Sequence, residues 1–307
     1  MKYSLCLPVD QVEPPDEFCS GRAVMEMAAA AEAVGFSAVH ATEHPFPSRV
    51  GADMGGHHAL DPVVTMAFAA AATSTIRFHF NALVPPYRNP FLLAKTLADL
   101  DVLSGGRVIA GVVPGYLAGE FAALGVPLEE RAERLEEALV AWKAAWTGES
   151  VTMASPRWST ANNVMLPRPV QRPHPPIWIG GNSKAAICRV AAHGDGWMPF
   201  PARPNEATAV RTASITTIDE LASRIDLLRT SLADTGRTDP VDICMTPFTH
   251  QHHPRGQENY DPPVLLDEAE QLAAIGVTWL SVKLRSPDRA TFLDNIERFG
   301  KDVLAAA

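Results

Sequence analysis

The amino-acid sequence predicts a (β/α)8 TIM barrel with loop or hairpin insertions, and three observations carry that prediction. One order of elements recurs: an apolar run of strand length, a short loop, a helical stretch rich in alanine or leucine, then a glycine before the next run. The joints are Gly35 before FSAVHAT, Gly106 before RVIAGV, Gly194 before DGWMPF and Gly276 before VTWLSVKL. Such alternation builds parallel strands covered by helices. Eight runs fit strands, at 3–7, 38–42, 76–84, 107–112, 176–180, 196–199, 241–246 and 278–284. The chain of 307 residues is also longer than the roughly 250 of a plain barrel. The surplus shows in two stretches without helical period, 150–172 and 246–263, read as insertions in one domain over 1–307. An open doubly wound sheet is the alternative, although no GxGxxG follows the first strand.

Function in such a barrel sits on the loops after the strands' C-terminal ends, so the elements are taken in order with those loops in view. The first strand meets Pro8 and Asp10 too soon for a secretory apolar region, which places the chain in the cytoplasm. After the second strand, Thr42-Glu43-His44-Pro45 puts a carboxylate and an imidazole at the mouth. Histidine suits proton transfer near neutral pH, and a nearby carboxylate raises its pKa or fixes its tautomer. Neighbours on a strand end point to opposite faces, so Glu43 and His44 need not touch. GGHHALDP, with His57 and His58, reads as a loop over the mouth facing substrate, with Asp61 capping the helix that Pro62 begins.

The third strand leaves through His79-Phe80-Asn81-Ala82-Leu83-Val84-Pro85-Pro86, where consecutive prolines end ladder donation and stiffen the exit. Asn89 and Pro90 open the next helix, Leu93, Leu97 and Leu100 mark its buried face, and Gly105 and Gly106 end it. After the fourth strand, Gly111 and Gly115 bracket a turn from which Tyr116 projects, allowing backbone to approach a flat ligand; the competing reading is a plain connecting loop. After the fifth, Gly180-Gly181-Asn182-Ser183 opens directly into a helix. Glycines, a polar cap and unpaired N–H groups at a helix start make an anion site suited to a cofactor phosphate, against simple capping as the other reading.

Composition excludes several classes. The formal net charge of −9 and the absence of any basic run oppose nucleic-acid binding. No apolar run reaches the roughly 18 residues of a membrane span. Cys6, Cys19, Cys188 and Cys244 form no CxxC pair, which fits a reducing compartment and free thiols. The His250-Gln251-His252-His253 cluster has neither HExxH spacing nor cysteine partners, so no metal site is assigned.

In combination, TEHPFPSRVGADMGGHHALDP, LVPPYRNPFLLAKTLADLDVLSGGRVIAGVVPGYLAGEFAALGV and RPVQRPHPPIWIGGNSKAAICRVAAHGDGWMP resemble the luciferase-like monooxygenase superfamily, nearest to its branch using the deazaflavin F420. The resemblance implies a homodimeric barrel with the cofactor ring in its mouth and a small organic substrate beside it. It implies His44 as the active-site histidine with Glu43 beside it, and a cis peptide at Asn81–Ala82 which, with Val84, backs the ring. Tyr116 stands at the ring, and Gly180, Gly181, Asn182 and Ser183 at the cofactor's tail and phosphate. One departure concerns a relative that oxidises a sugar phosphate: its catalytic glutamate after the fourth strand is matched here by Tyr116, which speaks against that substrate. The resemblance admits two further readings: an FMN-dependent monooxygenase served by a separate reductase, and a flavin-binding protein without catalysis.

Overall fold

A computed structural model describes residues 1–49, 57–251 and 260–306. Each expected run holds one strand: β1 (Lys2–Cys6), β2 (Ala38–Ala41), β3 (Arg77–Phe80), β4 (Val108–Val112), β7 (Ile177–Gly180), β8 (Gly196–Met198), β9 (Asp242–Met245) and β10 (Trp279–Val282). They close into a parallel barrel in the order β1-β10-β9-β8-β7-β4-β3-β2. Because all run in one direction, their C-terminal ends share one mouth.

Capping follows the sequence. Asp61 Oδ1 accepts from the N–H groups of Val63 and Val64 at 2.9 Å, opening helix Pro62–Ala71. Asn89 Oδ1 accepts from Phe91 N–H at 2.9 Å, and Gly105 ends helix Pro90–Ser104 in the left-handed region at φ 70°. Leu93, Leu97 and Leu100 are buried as expected, in the apolar layer between strands and helices. Trp178, Trp279, Ile109, Met198 and Cys244 pack together as a second cluster. Among the described residues no helix is long and apolar enough to cross a membrane.

Two stretches differ from or refine the expectation. The third strand was expected to run to Val84 but its ladder stops at Phe80; the Asn81–Ala82 peptide is cis, as the resemblance implied. There Asn81 N–H turns to Ala41 C=O (3.0 Å), and pairing with β4 resumes through Leu83 N–H to Gly111 C=O (2.9 Å). The 150–172 insertion is an antiparallel hairpin, β5 (Val151–Ser155) and β6 (Trp158–Asn163). Arg157 pins it, donating to Glu130 (3.0 Å), Glu133 (3.0 Å) and Glu137 (2.7 Å) on and before helix Arg131–Ala145. Within 246–263 a short helix, Phe248–Gln251, is present; His252 and His253 lie outside the described residues.

The close approach of β3 to β4 makes Gly111 irreplaceable. A Cβ there would sit 1.8 Å from the Phe80 carbonyl oxygen and 3.0 Å from the Met198 side chain. Backbone cannot yield without breaking the ladder, so Gly111→Ala is expected to destabilise by about 3 kcal/mol or more, beyond the usual overpacking range. Thermal unfolding checks this: a midpoint within about 2 °C of the unaltered protein contradicts it.

Candidate active site

A cavity of about 400 Å³ opens at the C-terminal mouth, lined by Thr42, Glu43, His44, His57, Asn81, Ala82, Val84, Tyr87, Tyr116, Gly180, Gly181 and Met198, among others. A groove of about 280 Å³ adjoins it, sharing Tyr116, Gly180 and Gly181 and adding Ser183, Arg131, Arg189 and Arg211. A larger hollow of about 560 Å³ lies between helix Pro90–Ser104 and the hairpin. Its one titratable side chain, Lys95, is paired with Asp99, and it lies away from the strand ends. The mouth cavity is the candidate site.

His44 is 8 % exposed, and its partner is Glu120, which the sequence reading did not single out. Glu120, 1 % exposed, lies in helix Ala118–Ala123 and receives three donors: His44 Nδ1–H at 3.3 Å, Tyr87 O–H at 2.8 Å and Phe46 N–H at 3.4 Å. A carboxylate only accepts, so Nδ1 of His44 carries the proton and Nε2 the lone pair while the ring is neutral. Burial, then the bond to Glu120, raises the Tyr87 hydroxyl's pKa well above the ordinary range, keeping it a donor. His57 packs edge-on against His44, ring centres 4.6 Å apart, and Tyr116 does so at 6.2 Å. His58, expected beside His57 on the substrate side, is exposed and does not line the cavity.

Glu43, expected to assist His44, turns to the other side. Its Oε2 accepts from Val84 N–H at 2.6 Å and its Oε1 is ion-paired with Arg88, tying the loop after β2 to the exit of β3. Burial pushes its carboxyl's pKa up, against the pull of Arg88 and the Val84 N–H. The Asn81–Ala82 wall is thereby tied on its C-terminal side to the loop after β2.

The β7 turn is built as expected at its ends. Gly181 adopts φ 112°, a conformation L side chains rarely enter, and Ser183 caps helix Lys184–His193 through Ala186 N–H at 3.2 Å. Asn182 does not meet the groove. It is wholly buried behind the turn, its Nδ2 donating to Phe200 C=O (2.8 Å) and Ala213 C=O (2.9 Å) and its Oδ1 accepting from Phe200 N–H (3.1 Å). Its expected contact with a cofactor therefore gives way to a scaffolding one. The groove also brings three arginines, which spacing could not show because they come from distant segments; Arg189 among them is ion-paired with Glu136 at 2.8 Å. Arg211 holds a left-handed backbone at φ 57°, uncommon for a non-glycine residue. Among the described residues no group of three or more His, Cys, Asp and Glu is arranged to hold a metal.

Residues 1–250 match the family model described as luciferase-like monooxygenase. The F420-dependent hydroxymycolic acid dehydrogenase of Mycobacterium tuberculosis is 31% identical over 197 residues, covering 62% of this chain and 52% of that protein. The FMNH2-dependent dimethylsulfone monooxygenase of Pseudomonas putida is 37% identical over 126 residues, 40% of this chain and 35% of that protein. The crystal structure of monooxygenase RslO1 from Streptomyces bottropensis superposes with a TM-score of 0.79 at 22% identity, covering 100% of this chain and 99% of that one, a likeness of fold.

Proposed function

The chain belongs to the luciferase-like monooxygenase family, and from that premise we propose that it is an F420-dependent oxidoreductase moving a hydride between the deazaflavin and a small organic substrate. The observation carrying this reading is the groove. It leaves the cavity past Gly180 and Gly181 and is lined by Arg131, Arg189 and Arg211, of which Arg189 is ion-paired with Glu136 at 2.8 Å. Arg131 and Arg211 are left to meet an anionic tail, which suits the phosphodiester and carboxylates of the F420 side chain. The cavity, about 400 Å³ with a wall at Asn81 and Ala82, is within the size range of small-ligand sites and fits a flat ring.

When bound, F420 supplies a ring carbon that gives or takes a hydride and reacts poorly with oxygen. The protein supplies the rest. Asn81, Ala82 and Val84 back the ring, while Gly180, Gly181 and Ser183 hold the side chain at the helix start, where first-turn N–H groups lack intrahelical partners. His44 moves the accompanying proton at Nε2, and Glu120 fixes its tautomer and stabilises the imidazolium. Tyr116 and His57 border the substrate. Glu43 is a positioning residue, holding the wall through Val84. A homodimer joined through the exposed apolar Val64 and Phe68 of one helix and Leu92 and Leu103 of the next belongs to the same reading. Its mark is a solution mass near twice the chain's 33.1 kDa.

A second reading is favoured by the segment similar to the FMNH2-dependent enzyme. It is an FMN-dependent monooxygenase fed by a separate reductase, using the same His44. Anaerobic incubation with F420 and a panel of alcohols, aldehydes and enones separates the two. The first reading expects F420 absorbance to change only with protein and substrate together. Oxygen-dependent product with reduced FMN, and no change in F420 on any compound, contradicts it in favour of the second.

A further inference from the structure

The barrel interior holds a polar stripe that the proposed reaction does not use. Ser4, His40, His79 and Ser281 come from the neighbouring strands β1, β2, β3 and β10, and all are buried. Their sequence neighbours Leu5, Val39, Phe78 and Leu280 face the outer apolar layer, so by strand alternation these four face inward. Such interiors are dominated by branched aliphatic side chains. Buried hydroxyls and imidazoles in their place need partners.

The partners form one line. Asn81 Nδ2 is 3.3 Å from Ser281 Oγ, which is 3.2 Å from His40 Nε2. His40 Nδ1 is 2.9 Å from Ser4 Oγ, which is 3.1 Å from His79 Nδ1. His79 Nε2 ends the line 3.0 Å from Met198 Sδ. Both termini, Asn81 and Met198, line the cavity.

The chemistry of the thioether end fixes every proton along the line. A thioether only accepts, so His79 carries its proton on Nε2 and accepts at Nδ1. Ser4 must then donate to His79 and accept from His40 Nδ1–H. His40 Nε2 is left as an acceptor, filled by the Ser281 hydroxyl, whose oxygen accepts in turn from the Asn81 amide. With its one proton given to His40, the Ser281 hydroxyl can only accept from Asn81, which requires the carboxamide to present Nδ2, the orientation found. We propose that these residues form a one-way hydrogen-bond chain that holds the Asn81 carboxamide with Nδ2 turned into the barrel, presenting Oδ1 as the acceptor this wall offers to a bound ring. Ser281, His40, Ser4 and His79 are thus positioning residues. A protonated imidazole would put a second donor on its ring and break the order. Burial, then Lys283, pushes His40 down to about 3, and burial, then His40, holds His79 well below the ordinary histidine value.

The chain stands without any cofactor; the role of Oδ1 rests on the cofactor reading, and the test keeps them apart. Nitrogen-15 spectra of histidine-labelled protein without ligand, near neutral pH, should show His79 as the neutral Nε2–H tautomer and His40 as the neutral Nδ1–H tautomer. His40 as Nε2–H, His79 as Nδ1–H, or either ring as imidazolium overturns the chain whether or not a cofactor binds. Ser281→Ala should weaken cofactor binding roughly three- to tenfold, the effect of one neutral hydrogen bond, and alter the bound cofactor's absorbance. Ser281→Thr, which keeps the hydroxyl, should restore both. Unchanged affinity and spectrum in Ser281→Ala overturn the positioning role. Failure of the unaltered protein to bind F420 or FMN overturns the cofactor reading instead, leaving the tautomers to decide the chain.

Discussion

His44→Ala is expected to lower turnover by roughly 10²–10⁴, the usual contribution of a positioned acid or base, while cofactor affinity stays nearly unchanged. The asymmetry follows from the geometry. The groove that would anchor the cofactor is formed by the β7 turn and by Arg131, Arg189 and Arg211, none of which contacts His44 through a hydrogen bond or ion pair among the described residues. His44 itself is joined to Glu120 and stacked edge-on with His57. Removing the ring should therefore remove a proton carrier and leave the anchor. Steady-state kinetics with saturating F420, paired with a binding titration of the variant, separates the two effects. Full turnover in the variant would make His44 structural and move the proton to Tyr116 or His57.

The second large effect is expected at Glu120. Glu120→Gln keeps the shape, but it removes the charge that favours the imidazolium of His44 and sets an amide N–H either against Phe46 N–H, at the Oε1 place, or against the Tyr87 and His44 donors that share Oε2. Turnover should fall at least about tenfold, corresponding to roughly 1.4 kcal/mol of lost transition-state stabilisation. Glu120→Ala should in addition destabilise the fold by about 2–4 kcal/mol, because Tyr87 O–H, His44 Nδ1–H and Phe46 N–H lose their acceptor at a buried position. Thermal unfolding and kinetics of both variants are the check. A Glu120→Gln enzyme with unaltered turnover would reduce the carboxylate to a structural acceptor.

The contrast between Glu43 and Glu120 shows what the sequence made legible. The βα order, the caps at Asp61, Asn89 and Ser183 and the glycine joints are local signals, and all are present in the structure. His44, Tyr116 and Gly180 could be placed at one end because parallel strands fix which loops meet. The pairing of side chains across loops is non-local and could not be read the same way. Glu43 was adjacent to His44 in sequence and turned away, whereas Glu120, lying 76 positions on, turned toward it. A lone acid in AGEFAA reads as the solvated side of a helix. Its one signal was its place in the segment after the fourth strand, four positions past Tyr116. Asn182 failed differently: glycines and a polar cap do mark a turn, yet period and propensity do not say which of its residues faces the ligand.

The central claim is that the mouth and its arginine groove are shaped for a deazaflavin. Side-by-side equilibrium titrations of the purified protein with F420 and with FMN, at matched ionic strength, test it most directly. The structure's account predicts saturable F420 binding that is tighter than FMN binding and weakens as salt is raised, because the arginines of the groove act on an anionic side chain. Tight FMN binding with no binding of F420 would contradict it.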